Sequence, residues 1–330
     1  MELLMYGLEL TPEHPVETLS DFAVAAESAG LDAAFVSHHY NNRDQFVALT
    51  DIARETDDIR LGPGIANPYE THPVTLASRM ATLEELSGGR GLFGIGPGDK
   101  STLANLGYDQ DGALRRTLET FKVAQRLWAG ERVDHDGTFR AEDAALNYEV
   151  GSIPVYVGAQ GPHMTRMAAK HADGVLFNGS HPRDYEWAAE QVTQGLDDRP
   201  DHRGEFDFGA YASVSIAEDE QAAREAARPP VAFIAGSAAP PLLERHGLDR
   251  ERAEEISAAI SRGDFEEAFG AVTPAMIDAF CITGTPETVS DRIEGVLEYA
   301  DSFVAGSPLG PDVETAIGLL GDVIGRVDSA

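Results

Sequence analysis

At 330 residues the chain can bury a substantial core as one large domain or two small ones. Its 56 acidic residues against 25 basic ones give a net charge of −31, with Lys100, Lys122 and Lys170 the only lysines, a surface that repels nucleic acid and anionic membranes. Cys281 is alone, which excludes an intramolecular disulfide framework and a CxxC metal site, and neither a signal-peptide pattern nor a membrane-spanning apolar run occurs. The acids are interspersed through helical segments. They read as a hydrated surface suited to high salt, as in a halophile's cytoplasmic protein, with an ordinary acidic mesophilic protein as the alternative.

Strand and helix signals alternate from the start. A short apolar run, Leu3 to Leu10, is broken by Thr11-Pro12, and helical periodicity from Val16 to Ala29 stops at Gly30. A strand from Ala33 to Val36 delivers Ser37-His38-His39-Tyr40-Asn41-Asn42 to its end, and Asp44 suits the cap of a helix reaching Glu55. Ile59 to Ile65 is a third strand, and Pro73 to Leu86 a helix closed by Gly88-Gly89. The fourth strand leads into Gly94-Ile95-Gly96-Pro97-Gly98-Asp99-Lys100, whose three glycines would let the backbone pass close to a flat ligand.

A helix from Asp111 to Trp128 precedes a polar stretch, Glu131 to Glu149, expected as a small hairpin or loop insertion. Ile153 to Val157, Gly174 to Phe177 and Phe206 to Ile216 read as the next strands, with helices between them. Residues 229 to 290 carry Pro229-Pro230, Pro240-Pro241 and several short helical patterns, and are expected to form a helical insertion. Ser302 to Ala305 is the eighth strand, and Val313 to Val327 the last helix. The alternation predicts one α/β domain over 1–330, a (β/α)8 TIM barrel with insertions at 131–149 and 229–290. An open doubly wound sheet is disfavoured, because GxGxxG does not follow the first strand.

In such a barrel the chemistry sits at the C-terminal strand ends. Those ends carry Glu9, His38 and His39, Gly64 to Asn67, Gly96 to Asp99, Gly158 to Pro162 and Asn178 to Ser180. No HExxH spacing occurs, and adjacent His38 and His39 on a strand would point to opposite faces, so no metal site is expected and one of the two is taken as structural. GxSxG is absent too. Glycine-lined strand ends, two isolated carboxylates and a phosphate-ready turn suit a large planar cofactor.

The run Gly94 to Lys100 resembles the corresponding stretch of the methylenetetrahydromethanopterin reductases, in the bacterial luciferase-like superfamily. So do His39-Tyr40-Asn41-Asn42, Leu61-Gly62-Pro63-Gly64, Asn67-Pro68-Tyr69, Gly158-Ala159-Gln160-Gly161-Pro162, Glu244-Arg245-His246-Gly247 and Ala305-Gly306-Ser307-Pro308. The motifs stand in family order over nearly the full length. The resemblance implies a (β/α)8 barrel that uses the 5-deazaflavin coenzyme F420 as hydride donor and a small-molecule tetrahydropterin, methanopterin or folate type, as substrate. It implies that Glu9 and Asp99 are carboxylates near the pterin, with Glu9 as the acid that opens the substrate's imidazolidine ring and an Arg-paired structural Glu9 as the alternative. Cofactor contacts are implied for His39, Gly64, Ile65, Asn67, Gly96, Gly98, Gly158, Ala159, Gln160, Gly161 and Asn178, with a non-prolyl cis peptide at Gly64-Ile65 behind the ring. His38 stands where the family usually has an acid. Another F420- or FMN-dependent oxidoreductase of the superfamily and a non-catalytic flavin-binding protein are the other readings, and a homo-oligomer, dimer or tetramer, is expected.

Overall fold

The computed structural model describes residues 5–327. In chain order β1 (Tyr6–Leu10), α1 (Val16–Ser28), β2 (Ala33–Val36), α2 (Gln45–Glu55), β3 (Arg60–Pro63), α3 (Pro73–Leu86) and β4 (Phe93–Ile95) alternate strictly. Two helices, α4 (Lys100–Asn105) and α5 (Ala113–Trp128), then lead to a hairpin of β5 (Val133–Asp136) and β6 (Arg140–Ala144). Alternation resumes with β7 (Val155–Ala159), α6 (Pro162–His171), β8 (Gly174–Asn178), α7 (Pro182–Leu196) and β9 (Asp207–Ile216). Five helices follow: α8 (Glu220–Ser237), α9 (Pro240–His246), α10 (Arg250–Arg262), α11 (Phe265–Ala271) and α12 (Pro274–Phe280). The chain closes with β10 (Ile282–Gly284), α13 (Pro286–Leu297), β11 (Ser302–Leu309) and α14 (Val313–Val327).

Eight parallel strands run β3-β2-β1-β11-β9-β8-β7-β4. The two ends of that order meet through bridges from Leu61 to Gly91 and from Ala66 to Ile95, which close the barrel. Residue alternation splits the strands between two cores. Leu8, Leu10, Val36, Ile95, Val157 and Phe177 face the helices. Met5, Ala33, Phe35, Leu92, Tyr156, Leu176 and Val304 fill the interior, with Ile65 and Tyr211 packed on them. Each fully buried side chain of this size, such as Phe35, contributes about 1.5–3 kcal/mol by leaving water.

The helical stretch expected over 229–290 has other edges. The helix α8 begins at Glu220 and runs through Pro229 and Pro230, because Val231, Ala232 and Ala235 beyond them anchor a separate apolar cluster with Ile256, Met276 and Phe280. Pro240 instead sits in the first turn of α9, where no N–H is needed. At the far edge, β10 adds to β9 beside Val214 to Ile216, and α13 packs on α14 as an ordinary barrel helix. The buried Asp184 of α7 holds α9 in place, accepting from Arg245 at 2.8 Å and facing His246 Nε2 at 3.0 Å. None of the helices among the described residues is long and apolar enough to cross a membrane.

Candidate active site

Inward parity at the C-terminal strand ends brings one layer together: Glu9 on β1, Ser37 past β2, Gly64 past β3, Gly96 past β4, Gly158 on β7, Asn178 on β8, Tyr211 on β9 and Gly306 on β11. Four of these eight positions are glycine, so the mouth is nearly bare of side chains. Glu9 is half-buried there. Its Oε2 accepts from the Ser307 N–H at 3.2 Å, and its Oε1 lies 3.5 Å from the Thr11 hydroxyl. No arginine pairs with it among the described residues, so the ion-pair alternative is set aside on geometry.

The glycines of the Gly94 to Gly98 run serve a different purpose from the one expected. A Cβ on Gly94 would lie 1.9 Å from the Pro63 carbonyl oxygen, one on Gly96 2.1 Å from Ile65 Cδ1, and one on Gly98 3.0 Å from Asn67 Cβ. Each step of two along one strand meets a step of two along the other, so the bare backbone lets the segment after β3 lie directly on β4. The space a side chain would need at each of these glycines is taken by protein. The peptide Gly64-Ile65 is cis, and the Ile65 side chain lies against Gly96 and Gly158, so that a Cβ on Gly158 would lie 3.1 Å from Ile65 Cγ2. That places an apolar ledge at the centre of the mouth.

Around the rim, Asp99 is the N-cap of α4, accepting from Ser101 Oγ and from Thr102 N at 2.7 Å. Partial burial pushes its carboxyl up, but those hydrogen bonds and the nearby His39 outweigh it and hold Asp99 below the usual carboxylate range. His38 and His39 do not alternate across a strand as expected, because β2 ends at Val36 and both lie in the loop beyond it. Both reach the rim. His39 lies toward Asp99, while His38 Nε2 meets Glu70 Oε2 at 2.9 Å. Glu70 Oε1 also accepts from Asn67 Nδ2 at 2.8 Å, and Asn67 Oδ1 accepts from the Tyr69 and Glu70 N–H groups. A buried Asn67 thus ties the β2 loop to the segment after β3.

The sequence Gly158 to Gly161 divides by role. The side chain of Ala159 faces the helix-side core, so only its backbone can reach the mouth. Gln160 is exposed, and Gly161 is the N-cap of α6 with nothing within 4 Å of a Cβ. Asn178 is exposed beside Tyr211, its partner across the β8–β9 ladder. Sequence reasoning passed over Tyr211, whose hydroxyl donates to the Gly64 carbonyl at 3.4 Å. Burial, then the charge and hydrogen bonding of Glu9, raise its phenol well above the ordinary value. Among the described residues no group of three or more His, Cys, Asp or Glu side chains is placed to hold a metal ion.

Known proteins share this architecture along the whole chain. The 5,10-methylenetetrahydromethanopterin reductase of Archaeoglobus fulgidus is 41% identical, with 97% of this chain and 98% of that protein covered. The solved coenzyme F420 dependent tetrahydromethanopterin reductase of Methanopyrus kandleri gives a TM-score of 0.92 at 39% identity, covering 98% of this chain and 99% of that one. An F420-dependent secondary alcohol dehydrogenase shares the fold at a TM-score of 0.79 and 19% identity, covering 98% and 99%. A family model described as luciferase-like monooxygenase matches residues 6–304. With its barrel, its glycine-lined mouth and that match, the chain belongs to the luciferase-like family.

Proposed function

We infer that this protein reduces the methylene group of 5,10-methylenetetrahydromethanopterin to a methyl group, using reduced coenzyme F420. The observation that carries the reading is the likeness, in sequence and in fold and along nearly the whole chain, to proteins named as reductases of that activity. The mouth fits the cofactor. Ile65, seated against Gly96 and Gly158, offers a flat apolar ledge for a deazaflavin ring, and the open N-terminus of α6 at Gly161 presents free N–H groups to an anionic phosphodiester. His39, Asn67 and Asn178 are the polar groups proposed to fix the ring's edge, with Gly64, Gly98, Ala159 and Gln160 contributing backbone or rim contacts. Bound there, the reduced deazaflavin supplies a hydride.

The protein's own residues handle the proton and the charge. Opening the substrate's imidazolidine ring requires a proton on the departing nitrogen, and Glu9 is the proposed donor, standing at the mouth among glycines. Asp99, kept ionised by its cap hydrogen bonds, is proposed to stabilise the resulting cation and to orient the pterin. We propose a cytoplasmic homo-oligomer, dimer or tetramer, as the working form, which sedimentation would read directly. Mixing the protein with reduced F420 and either methylene-tetrahydromethanopterin or methylene-tetrahydrofolate tests the function. Oxidation of the cofactor should require the methanopterin substrate; no oxidation with either pterin would overturn the reading.

A further inference from the structure

The helix α6 opens at the mouth and ends at His171, about 15 Å away on the opposite face of the barrel. Asp173, just beyond it, accepts from the N–H of Val155, the first residue of β7, at 2.9 Å. Basic groups from three elements gather at this end. Lys170 and His171 form the last turn of α6, and Arg199, past α7, donates to the Ala169 and Ala172 carbonyls at 2.7 Å each. Arg203 Nη2 donates to Gln125 of α5 at 3.1 Å, and Lys122 stands three residues before Gln125 on the same face of that helix. Two acids answer them: Asp198 meets Lys170 at 3.1 Å, and Asp173 lies 3.9 Å from Arg203 Nη1.

The negative end of a helix accounts for Lys170 and Arg199, which touch the last turn of α6. It does not account for Lys122 or Arg203. The chain carries 56 acids and three lysines, yet two of those lysines meet here and face cations. Burial, then the charges of Arg203 and Lys170, lowers the pKa of the exposed Lys122 ammonium, which has no hydrogen-bond or ion-pair partner among the described residues. Half-buried His171 is pushed down to about 4 by burial and then by Lys122, Lys170, Arg203 and Arg199. Like charges gathered this way oppose one another unless an anion sits among them. Arg203 also has donors to spare, since of its five N–H groups only one at Nη2 makes a hydrogen bond. We propose that this corner binds a dianionic oxyanion of the sulfate or phosphate type, held between the Lys122 ammonium and the Arg203 guanidinium with the His171 imidazole as third partner. Donors that converge on one half-buried ring suit a small anion better than the broad acidic face of another protein. The site lies at the far end of α6 from the proposed phosphodiester, so it is independent of the reaction at the mouth.

Sulfate is the probe, because it stays dianionic from pH 5 to 8. In dilute buffer at pH 6, about 10 mM sulfate should raise the melting midpoint by about 2 °C more than chloride at equal ionic strength, as a millimolar ligand does. Bound anion should return His171 toward the ordinary histidine range, read from its ring proton resonances. Sulfate affinity should then rise roughly ten-fold as pH falls from 7 to 5, and His171→Gln should abolish that rise. Lys122→Gln, at an exposed position, should fold normally and weaken sulfate roughly five-fold. Glycerol phosphate separates the sources: tighter binding than sulfate points to a phosphate ester, weaker binding to a free ion, and either supports the site. Equal shifts with sulfate and chloride, or a sulfate preference that survives Lys122→Gln, would overturn the proposal. So would a Lys122→Glu variant that sediments as a smaller species while His171 ignores sulfate, which would make the corner a contact between copies of the chain.

Discussion

At the barrel floor Asp207 faces Tyr156; at the mouth Glu9 faces Tyr211, and Asp207 and Tyr211 stand four residues apart on the same strand, β9. The floor pair is sealed. Asp207 is fully buried, the Tyr156 hydroxyl donates to it at 2.8 Å, and Tyr156 packs so closely on Gly174 that a Cβ there would lie 2.4 Å from the ring. Burial pushes the Asp207 carboxyl up to about 6, even though hydrogen bonds from Tyr156 and Ser302 work the other way. The mouth pair has glycines on its flanks, a half-buried carboxyl and a hydroxyl on a long bond. Large side chains close around the floor pair, whereas Gly64 and Gly306 flank the mouth pair with backbone alone. What separates the two is the missing side chains of the neighbours.

The largest effect that could break this contrast is at the mouth. Glu9→Gln keeps shape and hydrogen bonding but removes the transferable proton, so turnover should fall by roughly two to four orders of magnitude. Cofactor affinity and melting temperature should barely move. Near-normal turnover would return Glu9 to the class of Asp207 and move the search for the acid to Asp99.

At the floor the expected effect is on stability alone. The folded-state pKa of Asp207 lies above the usual carboxylate value, so between about pH 4 and 6 the folded chain binds more protons than the unfolded one. The contribution of Asp207 to stability is therefore present below pH 4 and lost as pH rises toward 6, an effect of about 3 kcal/mol at most. Asp207→Asn should flatten the stability profile in that window and leave turnover intact. A profile identical to that of the unsubstituted protein would show that the floor carboxyl is not held protonated, and a loss of turnover would show that the two ends are coupled.

Much of this was legible in the sequence. The eight barrel strands were all marked by apolar runs ending in glycine, proline or polar residues, and Pro73, Pro162, Pro182, Pro240, Pro274 and Pro286 each sit in the first turn of a helix. Residues that share the mouth could be named because a parallel barrel collects its strand ends at one rim. Other features depend on packing that no local pattern carries. Pro229 and Pro230 read as breakers, yet tertiary contacts beyond them keep α8 continuous. The glycines at 94, 96 and 98 read as space for a ligand, when their partners are Pro63, Ile65 and Asn67 some thirty residues earlier. Tyr211 stands in an apolar strand and reads as core; its place near Glu9 comes only from the closing of the barrel.

Salt sharpens the contrast between these sheltered pairs and the outer surface. With a net charge of −31, self-repulsion at low ionic strength should outweigh exposed pairs such as Arg126–Glu131 and Arg262–Glu267, which are worth little individually. Molar KCl shortens the screening length to a few ångströms and should raise the melting midpoint by on the order of 5 °C, about 3.5 kcal/mol for a chain of this size. A flat or falling midpoint would mean that the surface pairs dominate after all.

The smallest effect asks how far the machinery of the mouth extends. Pro162 opens α6 and has no N–H, and the Gly161 carbonyl already accepts from Thr165 N at 3.1 Å, so the N–H groups of His163 and Met164 are the ones the first turn leaves for an anion. At Gly161 φ is −105°, which any residue adopts, and the space in front is open, so a leucine there should fold without strain. It would nevertheless stand where the phosphodiester is proposed to lie. Gly161→Leu should weaken F420 binding about ten-fold, or 1.4 kcal/mol, with the melting temperature of the free protein unchanged. Turnover at saturating cofactor should survive, because Glu9, the proposed acid, is untouched. Unchanged affinity would place the phosphate at another strand end, and lost turnover at saturation would mean that the α6 terminus also sets the position of the ring over Ile65.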